Sequence, residues 1–335
     1  MHSWLSVVGA GKPRLMYDTA LRWAMDHKWY GDHSVQTALW ALARNHETKF
    51  QISHREGEVF GIRRRRMWGS DAVKTELKIL SADERPIGIF ISTNAINWKV
   101  IPPDLRPPTL RKKGTSGYDT KGLDEYKKVW DALLLPEPLQ GVEMSFMEIW
   151  GEGKIMVFDF DDEDDPMNAF VAARQTHEYL LDTYDVPSVI VFSGNKGFHV
   201  WVQPEDAESL AGASLKDLVE QKDPLKEQGK RYAKFVKDTV VMATGHNLPG
   251  YDLSPNYRQG IVRCPYSIHE KSGQIVWPLS PTEVKNLQKF EKDKLGPREI
   301  GEILHAWDTQ NFVGAEGLSY FPPCSSIHSR NMWRL

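Results

Sequence analysis

Cysteine is nearly missing from this chain: 335 residues hold two, Cys264 and Cys324, and no paired CxxC signature of a zinc knuckle occurs. Both are expected as reduced thiols of an intracellular protein, with no cysteine-built zinc site. Long apolar runs are missing too. No stretch approaches the roughly 20 apolar residues that cross a bilayer, and the opening MHSWLSVVGAGKPRL lacks a basic start followed by a long apolar segment. A cytoplasmic location and no membrane partner follow as expectations. Internal repeats and low-complexity tracts are likewise absent. What remains, 41% hydrophobic and 26% charged residues, is the composition of a folded soluble protein of one large domain or two ordinary ones.

Strong net charge is also lacking, at −3, but the balance is uneven along the chain. Residues 1–150 carry 22 Lys+Arg against 18 Asp+Glu, the rest 20 against 27, and six of those acids fall between Asp159 and Asp165. A mildly basic first half permits nucleic-acid binding without requiring it, because a local patch sets the field where a net value does not.

Apolar positions Leu21, Ala24 and Met25, then Val35, Ala38, Leu39 and Leu42, recur at helical spacing, so the first 50 residues read as helical. Strands are expected around Glu58–Arg63 and Ile87–Thr93, and residues 101–122, rich in proline, glycine and charge, as a long loop. From Lys154 the pattern becomes β, α, β, β. KIMVFDFD reads as a strand, and MNAFVAARQTHEYLLDTY as an amphipathic helix with Phe170, Ala173, His177, Leu180, Leu181 and Tyr184 along one side. SVIVFSG and FHVWV read as the next strands, residues 207–244 as mostly helical, IVRCPYSI and QIVWPL as strands, and PREIGEILHAW as a closing helix. The economical picture is a palm-like sheet of mixed α and β structure with helical additions.

Three clusters carry chemistry. In a strand, residues i and i+2 share a face, so Asp159 and Asp161 project together while Phe158 and Phe160 face the other way. Two adjacent carboxylates repel unless a cation lies between them, and a hard divalent ion with oxygen ligands, Mg²⁺ or Mn²⁺, suits the place. Asp162 to Asp165 read instead as a solvated acidic start to the helix near Pro166, where the helix dipole favours anions. The second cluster, SGNKGFH, joins two strands. Ser193, Lys196 and His199, with the amides that Gly194 and Gly197 expose, form a set suited to phosphate oxygens, although an ordinary hairpin with a satisfied histidine accounts for the same letters. The third, YDLSPNYRQGIVRCPYSIHEKSG, offers Asp252 as a third carboxylate and Arg263, His269 and Lys271 as cations; Cys264 and Tyr266 read as packing residues. Three carboxylates beside a set of phosphate-binding cations fit phosphoryl transfer with two metals, with no protein nucleophile.

The order MVFDFD, SGNKGFH, then an aspartate followed by IVRCPYSIHEKSG resembles the three motifs of the archaeo-eukaryotic primase superfamily, and most closely the small catalytic primase subunit and the primase-polymerases. The likeness covers about residues 145–280 and reaches RPIGIFISTNAINW upstream. It implies an α+β fold whose core is an RRM-like antiparallel sheet, with an N-terminal α/β lobe over 1–145, the core over 146–282 with a helical insertion near 205–245, and a helical tail over 283–335. It implies two divalent ions at Asp159, Asp161 and Asp252, and triphosphate contacts from Ser193, Lys196, His199, Arg263 and His269. Asn195 stands where many relatives carry a basic residue. The implied activity is template-dependent joining of dNTPs or NTPs on single-stranded DNA with release of pyrophosphate. End filling or terminal transfer in repair uses the same site, and a primase large subunit or a helicase is a partner the sequence leaves open. Arg63, Arg65, Trp68, Lys112 and Lys113 are the candidates for nucleic-acid contact, against the equal alternative of a solvated surface.

Two other classes compete. A rolling-circle endonuclease needs two histidines flanking one hydrophobic residue, but Trp201 stands in FHVWV where the second histidine belongs. A non-catalytic nucleic-acid-binding module has no need of Asp159, Asp161 and Asp252 together.

Overall fold

The computed structural model describes residues 29–31, the helical positions 35, 38, 39, 42 and 43, and residues 46–53, 59–66, 87–97, 100–101, 145–151, 153–245, 250–269, 272–279 and 281–287. The helix expected over PREIGEILHAW, the loop expected over most of 101–122, and Leu21, Ala24, Met25 and Cys324 lie outside them.

Two antiparallel sheets form the frame. The first runs β2 (Val59–Arg66), β1 (His46–Ser53), β3 (Ile87–Ala95), β8 (Ile261–Arg263). The second runs β7 (Tyr251–Asp252), β4 (Met156–Asp161), β6 (Gly197–Val202), β5 (Val189–Phe192), β9 (Trp277–Pro278). The helices are α1 (Phe146–Trp150), α2 (Pro166–Tyr184), α3 (Pro204–Ala211), α4 (Leu215–Leu218), α5 (Pro224–Thr244) and α6 (Pro281–Asn286). The fold is thus α+β, with β4-α2-β5-β6 followed by α3, α4, α5 and then β7, a β-α-β-β-α-β succession when the short α3 and α4 are grouped with α5. No helix among the described residues is long and apolar enough to cross a membrane.

Strand β4 lies inside the second sheet, between β7 and β6, and is buried until the chain reaches the aspartates: 156 to 158 and Phe160 are buried, Asp159 is half-buried and Asp161 exposed. Helix α2 covers this sheet. Asp165 caps it by accepting from the Met167 N–H, Pro166 begins it, and Asp185 ends it in the left-handed conformation at φ 56° with its N–H returned to the carbonyls of Leu180 and Leu181. Phe170 packs edge-on to Phe198 of β6 at 5.3 Å. The buried stripe is Ala169, Phe170, Ala172, Ala173, Thr176 and Leu180, while Leu181 and Tyr184, expected on that side, are exposed.

Three strand expectations change, the simplest being QIVWPL, which is a strand only over Trp277–Pro278. HETKFQIS, within the stretch read as helical, is β1, paired with both β2 and β3. IVRCPYSI is a strand only over Ile261–Arg263, because Tyr266 adopts φ 67° and turns the chain, and β8 joins the first sheet rather than the second. The sheets are joined where β3 ends: Asn94 bridges Lys154, and the N–H of Ile155 donates to Thr93 O at 2.9 Å just before β4 begins. One apolar core, from Ile89, Ile91 and Val262 through Phe158, Phe198 and Val200, runs between them.

Candidate active site

Strand register gathers the acidic and basic residues. Asp159 on β4 is directly opposite His199 on β6 and Asp252 on β7, so the three occupy one row across three neighbouring strands. Asp161 lies one step further along the same face of β4, opposite Gly197. A β-carbon on Gly197 would come within 2.0 Å of Asp161 Oδ1 and 2.4 Å of Phe160 O, so only glycine lets the carboxylate lie over this turn.

The basic groups facing these carboxylates belong to the chain itself. His199 Nε2 is 3.3 Å from Asp159 Oδ1, and its other ring nitrogen, buried, meets no hydrogen-bonding partner among the described residues. Lys196 Nζ lies 3.7 Å from Asp161 Oδ2 and is held more closely by Glu163. The carboxyl of Asp161 is raised above its ordinary pKa, first by partial burial and then by the neighbouring Asp159 charge, with Lys196 and His199 pulling the other way. Lys196 is itself raised, chiefly by its hydrogen bond to Glu163.

The turn between β5 and β6 closes on itself. Ser193 N–H donates to Gly197 O at 2.9 Å, Gly197 N–H donates to Ser193 Oγ at 3.2 Å, and Gly194 takes φ 87°. A second turn packs against it: Ser272 hydroxyl donates to Gly194 O, and His269 Cβ touches the place where a Gly194 side chain would start. His269 is buried, its Nδ1 accepting from Ser272 N–H at 3.3 Å. A neutral ring with Nδ1 as acceptor carries its proton on Nε2.

Asp252 is placed in the row, but its carboxylate turns to its own chain: Oδ1 accepts from Ser254 N–H at 2.8 Å and Oδ2 from the Ser254 hydroxyl at 2.5 Å. Among the described residues, no three His, Cys, Asp or Glu side chains converge closely enough to hold a metal ion. The donor chemistry of Asp159 and Asp161 nonetheless suits a hard divalent ion: both offer oxygen, and the Asp161 carboxyl is raised by partial burial first and by the Asp159 charge second, an arrangement a cation between them would relieve.

Other candidates fall elsewhere. Arg263 is on the first sheet opposite Phe90, its guanidinium 4.4 Å from the ring centroid. Arg63 and Arg65 of β2 lie in register with Phe50 and Thr48 of β1, in the rows of the buried Ile89 and Ile91, whereas Arg64 falls in the row of Lys49, Phe90 and Arg263. Trp68, Lys112, Lys113 and Lys271 are outside the described residues. Asp162 accepts from the N–H groups of Asp164 and Asp165 and from Asn168 Nδ2, an architectural role like that expected of this acidic run. Cys264 is buried with its thiol pushed up by burial, and Tyr266 and Trp201 are buried too, as packing residues are.

Lys154 and Asn256 also belong to this region, without a motif that marks them. Lys154 is 1% exposed at the head of the apolar run IMVF, where the preceding Gly-Glu-Gly gives no sign of burial, and a buried lysine is rare without a reason. Asn256, fully buried, resembles any turn asparagine in the letters SPNYRQG.

No family model matches the chain, and no curated protein matches its sequence. A solved structure of the polymerase domain of Mycobacterium tuberculosis ligase D in complex with DNA is similar over 86% of this chain and 92% of its own, at 12% identity and a TM-score of 0.45, a likeness that leaves the chemistry to this chain's own residues.

Proposed function

We propose that this chain is a nucleotidyltransferase of the primase-polymerase kind, joining nucleoside triphosphates on single-stranded DNA. The observation that carries the reading is the row Asp252, Asp159, His199 across three adjacent strands, with Asp161 and Lys196 one step along. An RRM-like core over 146–282 goes with it, supported by the β-α-β-β-α-β succession and the spatial order β7-β4-β6-β5.

In the reaction, a hydroxyl oxygen attacks the α-phosphorus of the triphosphate, a P–O bond forms, and the bond to the departing pyrophosphate breaks. Asp159 and Asp161 would hold Mg²⁺ or Mn²⁺, joined by Asp252 once its carboxylate leaves Ser254, and the ion would supply acidification of the attacking hydroxyl and neutralisation of phosphate charge. Lys196 and His199 bind phosphate oxygens from the β5–β6 turn. The Ser193 hydroxyl and the His269 Nε2–H add donors from the two turns packed together there, and Arg263 of β8 would add a guanidinium on leaving its place over Phe90. Lys196 changes partner on binding, from Glu163 and Asp161 to the triphosphate. Arg63, Arg65, Trp68, Lys112 and Lys113 are proposed to hold template phosphates and bases.

The test is incorporation of labelled dNTPs and NTPs on single-stranded DNA, with and without an annealed primer, in Mg²⁺ and in Mn²⁺. The wild-type chain is expected to incorporate, and Asp159→Ala to abolish synthesis while DNA retention in a gel shift stays near wild type. Synthesis retained in Asp159→Ala overturns the site. Primer-free products identify priming; extension alone identifies a polymerase that starts poorly.

A further inference from the structure

Asp252 keeps its place in the row only if the short strand carrying it stays in register with β4, and β7 has just two residues. Three places on β4 face it. Asp161 N–H donates to Gly250 O at 2.8 Å, and Asp159 is opposite Asp252. By the antiparallel pattern residue 254 belongs opposite Val157. The chain has already left by then, with Leu253 in helical conformation and Pro255 lacking an N–H. The buried N–H and C=O of Val157 would therefore be orphaned. Asn256 replaces the missing backbone: its Oδ1 accepts from Val157 N–H at 3.0 Å and its Nδ2 donates to Val157 O at 2.6 Å. A carboxamide has the donor and acceptor of a peptide group, so it completes the ladder two residues from Asp159.

The carbonyls of the same loop are held from the far side. Thr93 hydroxyl donates to Pro255 O at 2.7 Å, Lys154 Nζ to Tyr257 O at 2.8 Å and Asn94 Nδ2 to Arg258 O at 2.6 Å. Lys154 also donates to Thr93 Oγ1 at 2.8 Å and Asn94 Oδ1 at 3.1 Å, so all its partners are neutral oxygens. Gly229 of α5 closes the third side; a β-carbon there would lie 2.9 Å from Arg258 N and from Asn256 O.

Resting on the proposed reaction, we propose that Asn256, backed by Thr93 and Lys154, is a positioning residue whose side chain acts as a rung of the sheet and holds Asp252 opposite Asp159. It touches no reacting atom, and its effect passes through Asp252.

The test compares wild type, Asn256→Ala, Asp252→Ala and the double variant by Mn²⁺ binding with dNTP present, Mn²⁺ dependence of incorporation, and amide exchange of residues 250–258 against α2. In Asn256→Ala the Mn²⁺ needed for half-maximal rate should rise roughly 10- to 100-fold. Protection should fall in 250–258 and persist in α2, and the double variant should be little worse than Asp252→Ala alone. A folded Asn256→Ala with the wild-type Mn²⁺ requirement overturns the proposal, as does a double variant whose losses multiply. If Asn256→Ala does not fold, Thr93→Val takes its place, since it frees Pro255 O while Val157 stays paired; an unchanged Mn²⁺ requirement there is equally fatal. A wild type that neither binds Mn²⁺ nor incorporates defeats the catalytic reading instead, and the exchange data then decide the rung by themselves.

Discussion

Lys196 shows how one side chain can matter to binding and hardly to stability. Its ammonium is partly exposed and shared between Glu163, the closer partner, and Asp161, in pairs that solvent screens. Removing it as Lys196→Met should lower stability by no more than about 1 kcal/mol in urea denaturation. The same change should lower kcat/KM for triphosphate roughly 10- to 100-fold, the worth of a charge-assisted hydrogen bond in the bound state. Equal, small effects in both assays would place Lys196 on the surface and outside the phosphate site. At this scale the sequence was informative where the chemistry repeats with the strand: Asp159 and Asp161 share a face by alternation alone. It was silent about Asn256, whose partner is the backbone of Val157, 99 residues away, because backbone mimicry leaves no mark in residue type.

Elements were legible where a local signal set both ends. Helix α2 starts at Pro166 and ends at Tyr184, one residue longer than the periodic stretch, because Asp165 and Pro166 make a start and Asp185 a left-handed stop. Asp165→Ala should therefore cost about 1 kcal/mol of unfolding free energy, read from the denaturation midpoint at constant slope. Loss of less than a few tenths would mean that Asp162, which also binds N–H groups of this turn, supports the helix start without it. Strand β1 was hidden because HETKFQIS follows a helical pattern without a break, and its pairing with β2 and β3 is a tertiary preference that overrides the local one. The last strands were overdrawn for the opposite reason. IVRCPYSI begins and ends with strand formers, yet Pro265 interrupts it and Tyr266 at φ 67° bends it into the turn that brings His269 beside Gly194.

For the whole molecule, the joint between the sheets is built round buried groups that resist charge. Lys154, wholly enclosed, is lowered to about 7 by burial, and His46 nearby to about 4, mainly by burial and partly by the Lys154 charge. In each case the unfolded chain binds the proton more readily than the folded one. Stability should therefore rise with pH from about 4 to 6.5 as His46 loses its proton, and again from about 7 to 10.5 as Lys154 does, with the Lys154 penalty fully present below its folded value. Lys154→Met removes the second step, so the stability of the wild type relative to this variant should improve between pH 7 and pH 9, by an amount on the order of 2 kcal/mol. Chemical denaturation of both proteins across that range measures it. A difference independent of pH would mean that Lys154 stays protonated in the fold, its three neutral acceptors, Thr93 Oγ1, Asn94 Oδ1 and Tyr257 O, offsetting the loss of water. An ammonium has a hydrogen for each of those oxygens whereas a neutral amine has two, so the joint would then be held by charge, and its loosening would begin only when alkali removed the third bond.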